Sequence, residues 1–433
     1  VITQPTVEHA TGLLSPAHDE LVRRLLNRAG DYGTAAGGWH RVGSPIVLDK
    51  AALDRDVAGI RRLVELAGSI RELAFDGDPV AYHRFLGLDP GLADLLVDEG
   101  LGTDYFARPD CVLSGGRLRV LELNIGTGTV NITAAAATEV YFAAATPYET
   151  ERDALGVRWR STELSPSAGL ACALLGFGGG APVGLWYHDH DGAVLGRVDD
   201  LCAVLGAHGV AAVPVPTCEA AAFPGPLYAY FSILHLLGRD GSEVARVIRS
   251  TRHRTAPVLV RPGDVARTMK TNLAVLHRLA ETGRLSSSDT EVVRTHLPET
   301  VIVEATDKAV LDRLRHERDD WVVKPAASFK GQGVHVGRST SQDRWERVLR
   351  HETPSVAQRY VPADPVGVLV DPATDPHVLT DGRLVIMPHI MAGRFAGVSA
   401  RFAPDRDVLG LVDFADVHPA MCVAATPLDG SPA

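Results

Sequence analysis

The chain is poor in cysteine and lysine and has no long apolar run, and each shortage narrows what it can be. Five cysteines, Cys111, Cys172, Cys202, Cys218 and Cys422, are odd in number, widely spaced and without a C-x-x-C pair. That pattern excludes a paired disulfide framework and reads as reduced, structural thiols of a cytoplasmic protein. No stretch approaches the roughly 20 apolar residues of a membrane span. The start, Val1-Ile2-Thr3-Gln4-Pro5, has neither the basic region nor the apolar core of a leader. The expectation is a soluble cytoplasmic protein with no membrane partner. Positive charge is also short: the formal net charge of −10 argues against a nucleic-acid partner, because gripping a phosphate backbone needs a basic face. What is present, 433 residues of which 45% are hydrophobic and 22% charged, excludes disorder and suits two or three domains or one large composite one.

The lysine shortage carries information of its own. Only five of the 43 basic residues are lysines, namely Lys50, Lys270, Lys308, Lys324 and Lys330. Arginine has otherwise replaced them, so a lysine that persists is a place to look for chemistry. Lys324 and Lys330 both fall in Trp321-Val322-Val323-Lys324-Pro325-Ala326-Ala327-Ser328-Phe329-Lys330-Gly331-Gln332-Gly333-Val334-His335-Val336. A β-rich apolar run ends in Lys-Pro, a loop of small residues follows, and an alternating run leaves it. The small residues Ser328, Gly331 and Gly333, with Gln332 between the glycines, let backbone N–H groups approach phosphate oxygens, and the lysine adds a point charge. The order of a Walker A loop is absent. Alone, Gly331-Gln332-Gly333 is equally an ordinary hairpin turn.

A second feature is Arg108-Pro109-Asp110, with Glu122-Leu123-Asn124 beginning twelve residues after the aspartate. The turn Ser114-Gly115-Gly116 between them predicts a hairpin that brings Asp110 alongside Glu122 and Asn124. Hard oxygen ligands beside a guanidinium suit Mg²⁺ carrying phosphate, although a polar hairpin edge has the same composition. Lys270 opens the helical pattern Thr271 to Leu279, closed by Gly283, and taken alone reads as a solvated surface lysine. Ser355 to Pro362 is a short strand ending at a proline. Its exit, Gln358-Arg359-Tyr360-Val361, is either a core strand end or a backbone edge for an adenine.

Together these motifs resemble the ATP-grasp superfamily in its circularly permuted form, as in the synthetase part of glutathionylspermidine synthase. The R-x-D then E-x-N arrangement matches Arg108, Asp110, Glu122 and Asn124. The helix of the first nucleotide lysine matches Lys270 with Leu273 and Leu276, with Met269 in place of the usual asparagine. The K-P-x-x-G-x-x-G pattern matches Lys324-Pro325 with Gly331 and Gly333, in a loop two residues longer. In ordinary ATP-grasp enzymes the metal strand follows the lysine strands, whereas here Glu122 precedes both lysines.

The resemblance implies an α+β (mixed α/β) ATP-grasp fold in permuted order with an accessory α/β subdomain. The expected organisation is an N-terminal helical/αβ region at 1–100, the metal-binding part at 101–180, a small α/β subdomain at 181–255 and the nucleotide-binding part at 256–433. It further implies ATP and Mg²⁺ as cofactors. Lys270, Lys324, Ser328, Lys330, Gly331, Gln332 and Gly333 would lie on the phosphates, with Gln358 to Val361 (Arg359 and Tyr360 between them) along the adenine. Asp110, Glu122 and Asn124 would hold the metal. Arg108 would orient a carboxylate or the transferring phosphoryl group, with Arg401 as a second such charge. The implied partners are a small-molecule acid and an amine, joined through an acyl phosphate. Two alternatives stay open: a kinase or a ligase to a thiol or carrier-protein acceptor, and a silent nucleotide-binding scaffold. After the E-x-N motif, Ile125 to Asn131 departs from the glutathionylspermidine type, so its substrates do not transfer. The sequence does not set the oligomeric state.

Other patterns point elsewhere and are weaker. His188-Asp189-His190 lacks a third metal ligand. Gly176 to Gly180 lacks the Rossmann order, and Ser165-Pro166-Ser167-Ala168-Gly169 begins with serine where a hydrolase elbow needs glycine.

Overall fold

The computed structural model describes residues 41–42, 45–88, 96, 106–126, 132, 135–136, 157–160, 164–188, 192–230, 241–252, 254–328, 331–350, 354–371, 378–404, 418–420 and 422–427. Lys330 and the Asp189-His190 pair lie outside them.

The expected hairpin is present as strands Phe106–Ser114 and Arg117–Ile125. Its two-residue turn has Gly115 at φ 58° and Gly116 at φ 69°, the mirror-image turn whose twist matches paired strands and which glycine adopts without strain. The Asp364 carboxylate accepts from both glycine amides, at 3.0 and 2.9 Å. Pairing sets Arg108 opposite Asn124 and Asp110 opposite Glu122, with an irregularity at Asp110/Cys111.

This hairpin belongs to a seven-stranded sheet. Phe106–Ser114 pairs antiparallel with the long strand Val378–Met391, which also pairs with Arg394–Pro404 and Val366–Asp371. The expected segments 101–180 and 256–433 therefore share one sheet. A second sheet, of four antiparallel strands, has the order Thr300–Val303, Ser355–Arg359, Trp321–Pro325, His335–Val336. It covers its own apolar cluster of Leu311, Leu314, Trp321, Trp345 and Leu349.

In the segment expected as a small α/β subdomain, Val183–Tyr187, Gly192–Ala207 and Ala212–Pro216 form a strand, helix, strand unit. Leu227–Ala229 and Val258–Leu259 complete a parallel sheet. The Gly178 to Gly180 run ends the helix Pro166–Gly178, with Gly179 left-handed at φ 54°. Ser165 caps that helix at its other end, which accounts for the Ser-Pro-Ser pattern.

The strand Ile46–Asp49 leads into the helix Lys50–Gly68, which Asp49 caps through Ala52 N at 2.7 Å. Leu53, Val57, Ile60 and Val64 recur at helical spacing and are all buried. Each contributes about 1.5–3 kcal/mol by leaving water. Asp56, on the same helix, is fully buried and accepts from Arg117 Nε at 2.7 Å and Leu118 N at 2.8 Å. His296 Nδ1 meets Leu118 O at 3.0 Å. Two helices thereby anchor the start of the Arg117–Ile125 strand and fix where Glu122 and Asn124 stand. Among the described residues no helix is long and apolar enough to cross a membrane.

Candidate active site

Three segments distant in sequence meet at Glu122. The first is the hairpin. Arg108 Nε lies 3.0 Å from Asp110 Oδ1, and Asn124 Nδ2 donates to that same oxygen at 3.1 Å and to Arg108 O at 3.2 Å. The register predicts this, since residues opposite in an antiparallel pair, and alternate residues along a strand, share one face.

The second segment carries Lys270. It sits just before the helix Thr271–Glu281, and its amide donates to Ala326 O at 3.0 Å. Its ammonium lies 3.0 Å from Glu122 Oε1 and donates to Ser328 O at 2.6 Å. With only 4% of its surface exposed, Lys270 is not the solvated lysine its local sequence suggests. The helix Thr271–Glu281, the strand that carries Glu122 and the loop at Ser328 are joined through this one residue.

The third segment is the strand Trp321–Pro325. Lys324 ends it 9% exposed, donating to Gln358 Oε1 at 2.7 Å and Leu121 O at 3.2 Å. Burial lowers its pKa to about 8, against the raising fields of Glu122 and Asp110, and Lys270 lowers it further. The loop beyond needs glycine for a reason visible in space. Gly333 has φ 70°, and a Cβ there would stand 2.7 Å from Pro325 Cγ. Gly331 shares the left-handed conformation, and its carbonyl accepts from Val334 N at 3.2 Å.

The strand exit at Gln358 divides. Gln358 is buried, its Oε1 held by Lys324 and its Nε2 donating to Thr300 Oγ1 at 3.3 Å. It therefore holds Lys324 in place through its side chain. Arg359 N and Tyr360 N are already bonded, to Glu299 O and Asp320 O at 2.7 Å each. The Arg359 side chain pairs with Glu317 at 2.5 Å, and the Tyr360 ring lies under Arg338 at 3.7 Å. Glu317 and Arg338 thus engage these two side chains, and Val361 follows them.

Arg401 lies on the sheet face of the hairpin carboxylates. It pairs with Val385, which pairs on its other side with Val112, two positions from Asp110 on the same strand. Burial lowers the Arg401 pKa to about 10, Asp110 opposing and Arg108 reinforcing the shift. The motifs did not reveal two further residues on this sheet, His389 and Ser399. They are separate polar positions in apolar strands, and only the strand pairing joins them.

The donors suit a magnesium ion shared with phosphate. No group of three or more His, Cys, Asp or Glu that could hold a metal occurs among the described residues. Asp110, Glu122 and Asn124 offer two carboxylates and one amide, the short set that Mg²⁺ uses when phosphates and waters complete its shell.

Residues 264–366 match the tubulin-tyrosine ligase family. That span contains both buried lysines, the glycine loop and the Gln358 exit, while the hairpin lies outside it. No curated protein matches by sequence. Among solved structures, a glutathione synthetase-like effector from Globodera pallida, determined in apo form, is similar with a TM-score of 0.55 and 11% identity. The alignment covers 96% of this chain and 99% of that one. The chain thus has the mixed α/β fold of that glutathione synthetase-like structure.

Proposed function

We propose that the protein is an ATP-dependent, ADP-forming ligase that joins a carboxylic acid to an amine, on a small molecule, amino acid or short peptide. The observation that carries this reading is the meeting of Lys270 and Lys324 with Glu122 and Asp110 in one largely buried place. The likeness to the tubulin-tyrosine ligase family and to the glutathione synthetase fold supports it. The order of the motifs, with the carboxylate hairpin ahead of both lysines, supports the circularly permuted form of the ATP-grasp fold.

In this reading Lys270 and Lys324 bind the ATP phosphates, and the amides around Gly331 to Gly333 cover them. Asp110, Glu122 and Asn124 would hold Mg²⁺, which when bound neutralises charge on the β- and γ-phosphates. A carboxylate oxygen of the acid, oriented by Arg108 and Arg401, attacks the γ-phosphorus, and the bond to ADP breaks. The amine then attacks the acyl carbon of the resulting acyl phosphate. Inorganic phosphate leaves, the nitrogen loses a proton and an amide remains.

The test is ADP release by the full chain over a panel of amino acids, short peptides and polyamines, each acid offered with and without amine. Release that needs both supports the ligase. Phosphorylated acid without amine would make it a kinase, and binding without turnover a scaffold.

A further inference from the structure

Beside Arg108 lies a polar pair that the reading above leaves unused. His389 is 0% exposed, and its Nε2 sits 2.9 Å from Ser399 Oγ, itself buried. Ser399 and Arg401 alternate on the strand Arg394–Pro404 and so share a face. His389 stands at an irregularity between Pro388 and Ile390, and the pairing of Ile390 with Ala107 puts it next to Arg108.

Two buried polar atoms here have no hydrogen-bond partner, His389 Nδ1 and Arg108 Nη1. Leaving one such atom unmade costs on the order of 1–3 kcal/mol. Two at neighbouring positions on one sheet face therefore point to a shared ligand. Arg108 Nη1 is a donor, so the ligand atom is an acceptor. Burial, with the Arg108 charge reinforcing it, lowers the His389 pKa to about 3, so the ring is neutral and carries a single proton. Ser399 decides where that proton is. If its hydroxyl donates to Nε2, the proton sits on Nδ1 and the open ring nitrogen is a second donor.

We infer that His389 Nδ1–H and Arg108 Nη1–H form a dry subsite for one anionic oxygen, with Ser399 holding the histidine in the donating tautomer. This assignment rests on the ligase reading for the source of that oxygen. The acid's carboxylate and the transferring phosphoryl group have the same chemistry here. The subsite adds a neutral donor to two arginines, so it holds an oxyanion without adding charge that would draw electrons from the attacking oxygen.

The test is ring-nitrogen NMR of the ¹⁵N-histidine-labelled full chain at pH 7, with the His389 signals assigned by their loss in His389→Asn. The expected result is the Nδ1–H tautomer, with the Nδ1 signal shifting when an oxyanion arrives. Sodium acetate and Mg·adenylyl imidodiphosphate are added separately. A shift with acetate assigns the subsite to the carboxylate, and a shift with the nucleotide alone assigns it to the phosphoryl end. Ser399→Ala should convert the single tautomer to a mixture. An Nε2–H tautomer, or an Nδ1 signal that neither probe moves, overturns the subsite. Nucleotide binding by calorimetry on the same sample separates the two readings. A silent ring with bound nucleotide defeats only the subsite, and a responding ring without nucleotide affinity defeats only the ATP reading.

Discussion

Lys270 Nζ stands 3.0 Å from Glu122 Oε1, so the lysine proposed for phosphate is neutralised by the carboxylate proposed for metal. Arrival of Mg·ATP would exchange this internal pair for two external ones, lysine to phosphate and carboxylate to cation. Glu122→Gln keeps the shape and removes the charge. It is expected to lower turnover by about 10³-fold or more with an unchanged circular dichroism spectrum. ATP binding in that variant should lose its dependence on Mg²⁺. Near-normal turnover would show that Glu122 holds no metal.

Lys324 is held by Gln358 Oε1 at 2.7 Å, and only Gln358 and the Leu121 carbonyl fix its direction among the described contacts. Gln358→Leu leaves the charge and removes the guide. ATP affinity should fall about tenfold, the loss of roughly 1.4 kcal/mol expected for a positioning hydrogen bond to a charged group. Lys324→Met should cost still more. Calorimetric titration of both variants orders the effects, and equal losses would mean that Gln358 acts on the fold alone.

The lowered pKa of Lys324, about 8, gives a pH dependence with a defined sign. Below pH 8 the ammonium is charged and ready for phosphate; above it the proton is lost, so ATP affinity declines as pH rises through that value. Bound phosphate favours the charged form, so binding near pH 8 to 9 should take up a proton. Calorimetry in buffers of different ionisation enthalpy reads that uptake directly, and proton release would contradict the assignment.

Gly333→Ala places a methyl 2.7 Å from Pro325 Cγ at a backbone φ of 70°. Strain of about 1–3 kcal/mol follows, to be released by movement of the loop. A lower melting temperature together with weaker nucleotide binding is the expected pair of results, whereas the exposed, open position Gly283 has no such neighbour within 4 Å.

Much of this site was legible in the chain because it is built from local pairs. Arg108, Asp110, Glu122 and Asn124 are set by a hairpin whose Gly115-Gly116 turn is readable, and Lys324-Pro325 ends an unmistakable strand. Lys270 was harder, since its helix looks ordinary and its burial arises only when Ala326 and Ser328 fold over it. His389 and Ser399 had no pattern at all, because strand pairing across an irregularity brings them together. Gln358, expected along the adenine, also holds Lys324 through its side chain, a contact that the chain does not announce because it is set by the pairing of Val322 with Gln358. The shared sheet of residues 106–125 and 366–404 was equally hidden, because pairing between segments so far apart leaves no local mark.

The central claim is that the buried lysines and the hairpin carboxylates form one Mg·ATP site. Titration calorimetry of the full chain with ATP, with and without Mg²⁺, tests it most directly. The predicted result is one nucleotide per chain with a Kd of about 1 mM or tighter, strengthened by Mg²⁺ and lost in both Lys324→Met and Lys270→Met. Wild-type protein that binds no ATP, or lysine variants that bind it unchanged, would contradict the account.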